Sequence, residues 1–257
     1  MSFRGFDMEQ IKTNFIVIIL ISISLAGCLS EDEERSGFDL QVAYDSLSGT
    51  ILQSYSDGEL VSSEIVTIAF DFSDTSSEEE LSVFGIDIKN QTEAHEINAD
   101  DESVISIEFS EHGIYELDIY AIDREGNREN QVLNVQIELR IDWTEMNTDD
   151  PTPLMFDPTP ANGGEHPIMI DVESTIENPD PIQELGNGQS VQITWNIVDE
   201  YDDTCQRNSD QVENGESVTW STIHFNTYLV HELIVDYDDG QDDLNVMHSI
   251  SIIYSSD

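Results

Sequence analysis

Apolar side chains in this chain recur at every second residue, and almost nowhere at the three-and-four spacing that a helix face requires. Val66, Ile68, Phe70 and Phe72 set the pattern. It returns in Phe84, Ile86 and Ile88, in Ile105, Ile107 and Phe109, in Tyr115, Leu117, Ile119 and Ala121, and in Leu133, Val135, Ile137 and Leu139. Phe38, Leu40, Val42 and Tyr44 alternate in the same way nearer the start. Successive side chains of a strand point to opposite faces, so each run offers one face to a core and the other to water. Turn-forming clusters separate the runs: Ser56-Asp57-Gly58, Lys89-Asn90-Gln91, Asn98-Ala99-Asp100-Asp101, and Asp123-Arg124-Glu125-Gly126-Asn127. Strands so spaced, with no helical period between them, predict an antiparallel β-sandwich over residues 38–142.

The seven prolines all fall between 151 and 181. Proline lacks the ladder donor, so this stretch is expected to be junction and edge loop. Alternation resumes with Ile168, Ile170 and Val172, then Val191, Ile193, Trp195 and Ile197, Val218 and Trp220, Leu229, Leu233 and Val235, and His248, Ile250, Ile252 and Tyr254. A second sandwich over residues 143–257 is the expectation. Tyr228 to Gly240 follows Tyr115 to Gly126 at an offset of 113 to 114 residues, which suggests divergent copies.

Phe15 to Ala26 is an apolar and hydroxyl run preceded by Lys12, the length of a secretory h-region and shorter than a membrane span of about 20 residues. Leu25-Ala26-Gly27-Cys28, at its end, resembles the lipobox of exported lipoproteins. That resemblance implies a signal peptide over 1–27, processing beside Gly27, and a diacylglyceryl group on Cys28. Two acyl chains give stable anchoring, at about 0.8 kcal/mol per buried methylene. Residues 28–37 then read as an acidic tether, and the protein is expected at the outer face of the cell membrane.

Against 55 acidic residues stand 8 basic ones, a formal charge of −47. Such a field repels phosphate backbones and anionic headgroups, which excludes nucleic-acid partners and electrostatic adsorption to membranes. It also predicts a salt-stabilised protein, because self-repulsion is screened as ionic strength rises. The scarcity of lysine, with Lys12 and Lys89 alone, is similar to halophilic proteins of salt-exposed archaea.

His112-Gly113-Ile114-Tyr115 through Asp123 to Asn127 resembles the last hairpin of polycystic-kidney-disease-type and related immunoglobulin-like domains. There a Gly-x-Tyr opens an alternating strand, and an Asp with a Gly-Asn turn leads to the final one. The resemblance implies two tandem immunoglobulin-like sandwiches, with Trp195 where such cores keep a tryptophan.

Candidate chemistry is sparse. Asp236, Asp238, Asp239, Asp242 and Asp243 crowd one predicted hairpin, and calcium, which takes six to eight oxygens, is the ion they would hold. Asn90-Gln91-Thr92 fits the N-glycosylation pattern in a predicted turn. His231-Glu232 opens like a zinc-peptidase helix, but Val235 stands where the second histidine belongs and the segment reads as strand. His224, His231 and His248 with Cys205 would make a zinc site only if the fold assembled them; otherwise Cys205 is a small loop side chain. No nucleophile elbow, phosphate loop or dinucleotide fingerprint occurs, so no catalytic residue is assigned. The expectation is a lipid-anchored envelope module that binds an extracellular protein or glycan or serves structurally. The alternative is an accessory subunit or β-sandwich hydrolase acting on extracellular polymers.

Overall fold

The computed structural model describes residues 37–179, 189–239 and 243–254, and among them there is no helix. In the first half, β3 (Val66–Asp71) pairs with β6 (Val104–Phe109) as a two-stranded sheet. Facing it, β5 (His95–Asn98), β4 (Leu81–Ile88), β7 (Gly113–Asp123) and β8 (Arg128–Thr148) lie side by side. The alternating residues meet between the sheets: Phe70, Phe72, Ile86, Leu117, Ile119 and Ile137 are fully enclosed, and Phe72 stacks on Phe84. β1 (Ser48–Ser56) runs parallel to β8 and turns back into β2 (Glu59–Glu64). Asp57 and Gly58, both at positive φ, make that tight turn. At the head of β7, Tyr115 Oη donates to the Glu111 carbonyl at 2.7 Å.

β8 is the structural axis. Residues 128–137 pair with β7, residues 136–144 with β1, and residues 139–148 with β15 (Leu244–Ile253). Twenty-one residues of strand extend about 70 Å at roughly 3.3 Å per residue. Positions 142 and 143 lie inside this strand. Ile141 and Trp143 on it are buried, and Trp143 stacks on Tyr55. Further contacts join the halves. His112 Nε2 donates to the Asp157 carbonyl at 3.3 Å, which leaves Nδ1 to accept from Tyr254 Oη at 2.8 Å. Asn162 Nδ2 donates to the Ile114 carbonyl at 2.9 Å.

The second half is two four-stranded antiparallel layers. One is β13 (Ser217–His224), β10 (Met169–Glu177), β15 and the end of β8. The other is β12 (Thr204–Val212), β11 (Val191–Asp199), β14 (His231–Asp239) and the short edge strand β9 (Leu154–Phe156). Prolines 151, 153, 158 and 160 flank β9, where a missing donor costs no ladder bond. Trp195 is fully buried at the centre, and its Nε1 donates to Ser174 Oγ.

Several expectations change. Residues 38–44 form no strand; they make bridges only at Asp39 and Ala43, with Phe38, Leu40 and Val42 packed partly against the core. β1, β2, β5 and β12 were not legible as alternation, because β2 is exposed throughout and β12 is exposed at most positions. The suggested copies also diverge. β7 hairpins onto the next strand, β8, whereas the strand after β14, β15, crosses to the opposite layer.

Candidate functional site

Of the residues singled out from sequence, Leu25, Ala26, Gly27, Cys28 and Asp242 lie outside the described residues. Asn90 sits exposed in the β4–β5 turn at φ 71°. On β14 the carboxylates are engaged locally: Asp236 Oδ2 accepts from Asn196 Nδ2 at 2.7 Å, and Asp238 Oδ2 from Thr194 Oγ1 at 2.6 Å. Strand alternation puts Asp236 and Asp238 on one face, and a register shift opposite Gln192 and Ile193 interrupts the ladder before Asp239. Among the described residues, these aspartates do not gather within metal-ligand distance of one another.

A different group does gather. β13 belongs to one layer and β14 to the other, so the six-residue loop 225–230 crosses between layers and brings its two ends face to face. Those ends are His224 and His231, both buried. Their Nε2 atoms are 2.9 Å apart and their rings meet edge to face. Cys205, near the start of β12, completes a trio whose ligand atoms all lie within 4.8 Å of one another. Asp199, paired across from His231 in the β11–β14 ladder, stands beside it. Its Oδ1 accepts from the Tyr201 and Asp203 amides, and its Oδ2 is 3.9 Å from Cys205 Sγ.

Burial sets the protonation of this group. It holds His224 down at about 4, with the neighbouring His231 adding to the effect, and it lowers His231 as well. Both rings are therefore neutral at pH 7. Burial, then the charges of Asp199 and Asp203, raises the Cys205 thiol, which stays protonated. His231 stacks on Phe156, and its Nδ1 has no hydrogen-bond partner. The Leu229 carbonyl acts on this ring without closing a bond to Nδ1.

His248, grouped with these residues in the sequence expectation, is elsewhere. It lies on β15 with Nδ1 2.9 Å from Ser174 Oγ. Ser174 Oγ also accepts from Trp195 Nε1, and the direction of its bond to His248 follows the ring tautomer.

The same end of the second sandwich carries a feature the sequence did not single out. Phe225, Tyr228 and Tyr201 are 69%, 68% and 68% exposed. The first two project from the loop 225–230. Its buried Thr227 is pinned by donation to the Pro167 carbonyl, and Tyr228 packs on His166. Tyr201 rides the β11–β12 turn, tied to that loop through Glu200 N and the Val230 carbonyl. Aromatic residues falling in turns, outside any alternating run, were the available signal. For Asp199 the signal was weaker: a carboxylate just past the apolar run of β11.

No protein-family model and no curated protein matches the chain. Among solved structures, likenesses include a carbohydrate-binding module of the β-sandwich superfamily. It shares 9% identity at TM-score 0.30, covering 82% of this chain and 96% of that one. A Bacteroides uniformis β-glucuronidase shares 7% at TM-score 0.28, over 85% of this chain and 30% of its own. The CBM51-2 and INT domains of Clostridium perfringens ZmpB, solved with GlcNAc, share 10% at 0.23, over 81% and 48%. Scores this low carry no weight, and the β-sandwich description rests on the strand pairings themselves.

Proposed function

We propose that the protein is a lipid-anchored glycan-binding module of the cell envelope, held to the outer membrane face through Cys28. Its two sandwiches are read as immunoglobulin-like. The parallel β1–β8 pair, the β3–β6 layer and the Tyr115 hydroxyl turned back to Glu111 support that reading for the first. β8 and its cross-contacts make the pair a stiff spacer, carrying the far end away from the membrane.

The observation that carries the binding role is the trio Tyr201, Phe225 and Tyr228, displayed to solvent from two anchored turns. Large exposed aromatic rings mark contact surfaces. Tyrosine adds a rigid, amphipathic face at little entropic cost. Flat rings among carboxylates and amides, here Glu200, Asp202 and Asn226, suit a pyranose, which offers apolar C–H faces and a rim of hydroxyls. The net charge selects for uncharged polysaccharide over sulfated or uronic polymers, and the acidic surroundings disfavour insertion of these rings into anionic lipid.

The test uses the full-length protein in mild detergent, titrated with a panel of neutral and anionic polysaccharides. Binding to a neutral polymer is expected, with Tyr228→Ala and Phe225→Ala each weakening it about tenfold, the effect of losing about 1.4 kcal/mol. Binding to no glycan, or binding indifferent to both substitutions, would overturn the reading. In cells, Cys28→Ser should move the protein from the membrane to the soluble fraction.

A further inference from the structure

The buried pair His224 and His231, with Cys205 beside it, leaves polar atoms poorly matched. Two imidazoles buried with their Nε2 atoms 2.9 Å apart share one proton, and His231 Nδ1 is left without a partner. A buried polar atom in that condition bears its desolvation with nothing to offset it. Cysteine sulfur and histidine nitrogen are, however, both zinc donors, and with a carboxylate beside them in place of a weak axial thioether the set suits zinc over copper. In a tetrahedral site with Zn–N near 2.0–2.1 Å and Zn–S near 2.3 Å, donor atoms sit about 3.4–3.6 Å apart. The two nitrogens would open by about half an ångström to reach that spacing. Cys205, exposed on the first residues of an edge strand, would close by about 1 Å from the outer limit of 4.8 Å.

We propose that Cys205, His224 and His231 bind one zinc ion, with Asp199 as the carboxylate at the fourth position. Asp199 stands beside the trio, outside the 4.8 Å group: two backbone amides hold Oδ1, Oδ2 lies 3.9 Å from Cys205 Sγ, and the carboxylate would have to turn toward the imidazoles on binding. On binding, the Cys205 thiol loses its proton to solvent as the S–Zn bond forms. The imidazole protonated at Nε2 becomes its Nδ1–H tautomer, and for His231 the Leu229 carbonyl is the acceptor at hand, the usual outer partner of a metal-bound histidine. One thiolate and one carboxylate neutralise the ion. Glu200 and Asp203 add a negative field that draws cations in.

The placement has a consequence for the surface above it. His224 and His231 are the two roots of the loop bearing Phe225 and Tyr228, and Asp199 and Cys205 bracket the turn bearing Tyr201. One ion would clamp both aromatic turns. Zinc binding itself does not depend on the glycan reading.

The experiment strips the full-length protein with a chelator and titrates it with Zn²⁺ against a chromophoric competitor, then repeats the titration with Co²⁺. One tightly bound equivalent is expected, with the thiolate-to-cobalt charge-transfer band and the intense d–d bands of four-coordinate Co²⁺. Cys205→Ser, on an exposed position, should fold, abolish the charge-transfer band and weaken zinc by more than about 100-fold. His231→Gln should do the same to affinity. Asp199→Asn, which replaces the charged fourth ligand by a neutral amide, should weaken zinc by at least about tenfold. Asp236→Asn, on the acidic hairpin, should change nothing. Absence of a stoichiometric site, a cobalt spectrum without the thiolate band, or affinity lost with Asp236 and retained without Cys205 would overturn the proposal.

Discussion

The two sandwiches share a strand but not a style of interior. Between the layers of the first, the enclosed side chains are chiefly phenylalanine, isoleucine, leucine and valine; Thr75, His112 and Asp123 are buried there too, each with hydrogen-bond partners, and its ion pairs, at Lys89, Arg124 and Arg128, lie on the outside. The second encloses Ser174, Asn178, Thr194, His224, Thr227, His231, Asn245 and His248 beside its aliphatic residues. Most of these are individually satisfied. Thr227 Oγ1, for instance, donates to the Pro167 carbonyl at 2.7 Å. Burying polar groups is tolerable when each finds a partner and costly when one does not. The polar groups buried in the first sandwich are thus paired, save Trp143 Nε1 on the shared strand, while the second keeps orphaned imidazole nitrogens at His231 and His248. Chemistry, where the molecule has any, belongs in the second.

The strongest test of that contrast removes the centre of each core. Phe72→Ala and Trp195→Ala should each cost about 3–5 kcal/mol, the range for large aromatic deletions. Because β8 runs unbroken through both sandwiches, calorimetry should show one transition lowered by either substitution. Two transitions, each answering to only one of the substitutions, would show that the shared strand does not couple the halves. Ligand binding per folded molecule should survive Phe72→Ala.

Acid should separate the interiors next. Burial lowers His248 to about 4 from an ordinary value near 6.5. Between those values the unfolded chain binds a proton that the folded chain refuses. The contribution is therefore complete above pH 6.5 and is lost as pH falls toward 4. At about 1.4 kcal/mol per unit, stability should fall by roughly 2.5 kcal/mol more between pH 7 and 4.5 in the native protein than in His248→Leu. Urea melts at the two pH values read this directly. Equal losses in both proteins would mean that His248 is already protonated or solvated in the folded state.

How far these features were visible in the sequence follows from the same contrast. An apolar core leaves a period-two trace, so β3, β4, β6, β7, β10, β11 and β15 were readable from residues such as Phe70, Ile86 and Ile250. β2 carries no such trace, since neither of its faces is buried, and Phe38 to Tyr44 alternates without pairing into a ladder. Continuity of β8 past Leu139 was hidden because Asp142, Thr144 and Glu145 look like the end of a run. Cys205, His224 and His231 were legible as residue types, and with His248 as a conditional group, but not as the trio that the fold assembles. His224 and His231 meet only because the loop between them changes layers, and layer changes leave no mark in composition. His248, with the same chemistry and a better strand pattern, belongs to a different network.

The smallest effect concerns the surface, where the halves differ in charge. Arg207 is the single basic side chain from residue 143 onward, so the second sandwich has almost no cation with which to offset its carboxylates. On the first, Lys89 Nζ lies 2.9 Å from Glu116, with both side chains about half exposed. An exposed pair of this kind contributes only about 0–1 kcal/mol. Lys89→Ala should therefore lower the melting temperature by about 2 °C or less in dilute buffer. In molar NaCl that difference should shrink toward zero, as the pair is screened within about 3 Å. The melting temperature of both proteins should meanwhile rise, because the repulsion among 55 carboxylates is screened by the same salt. A native protein whose melting temperature stays flat or falls with NaCl would show that its surface charge is already neutralised by bound cations. The place to seek them would then be the anionic second sandwich.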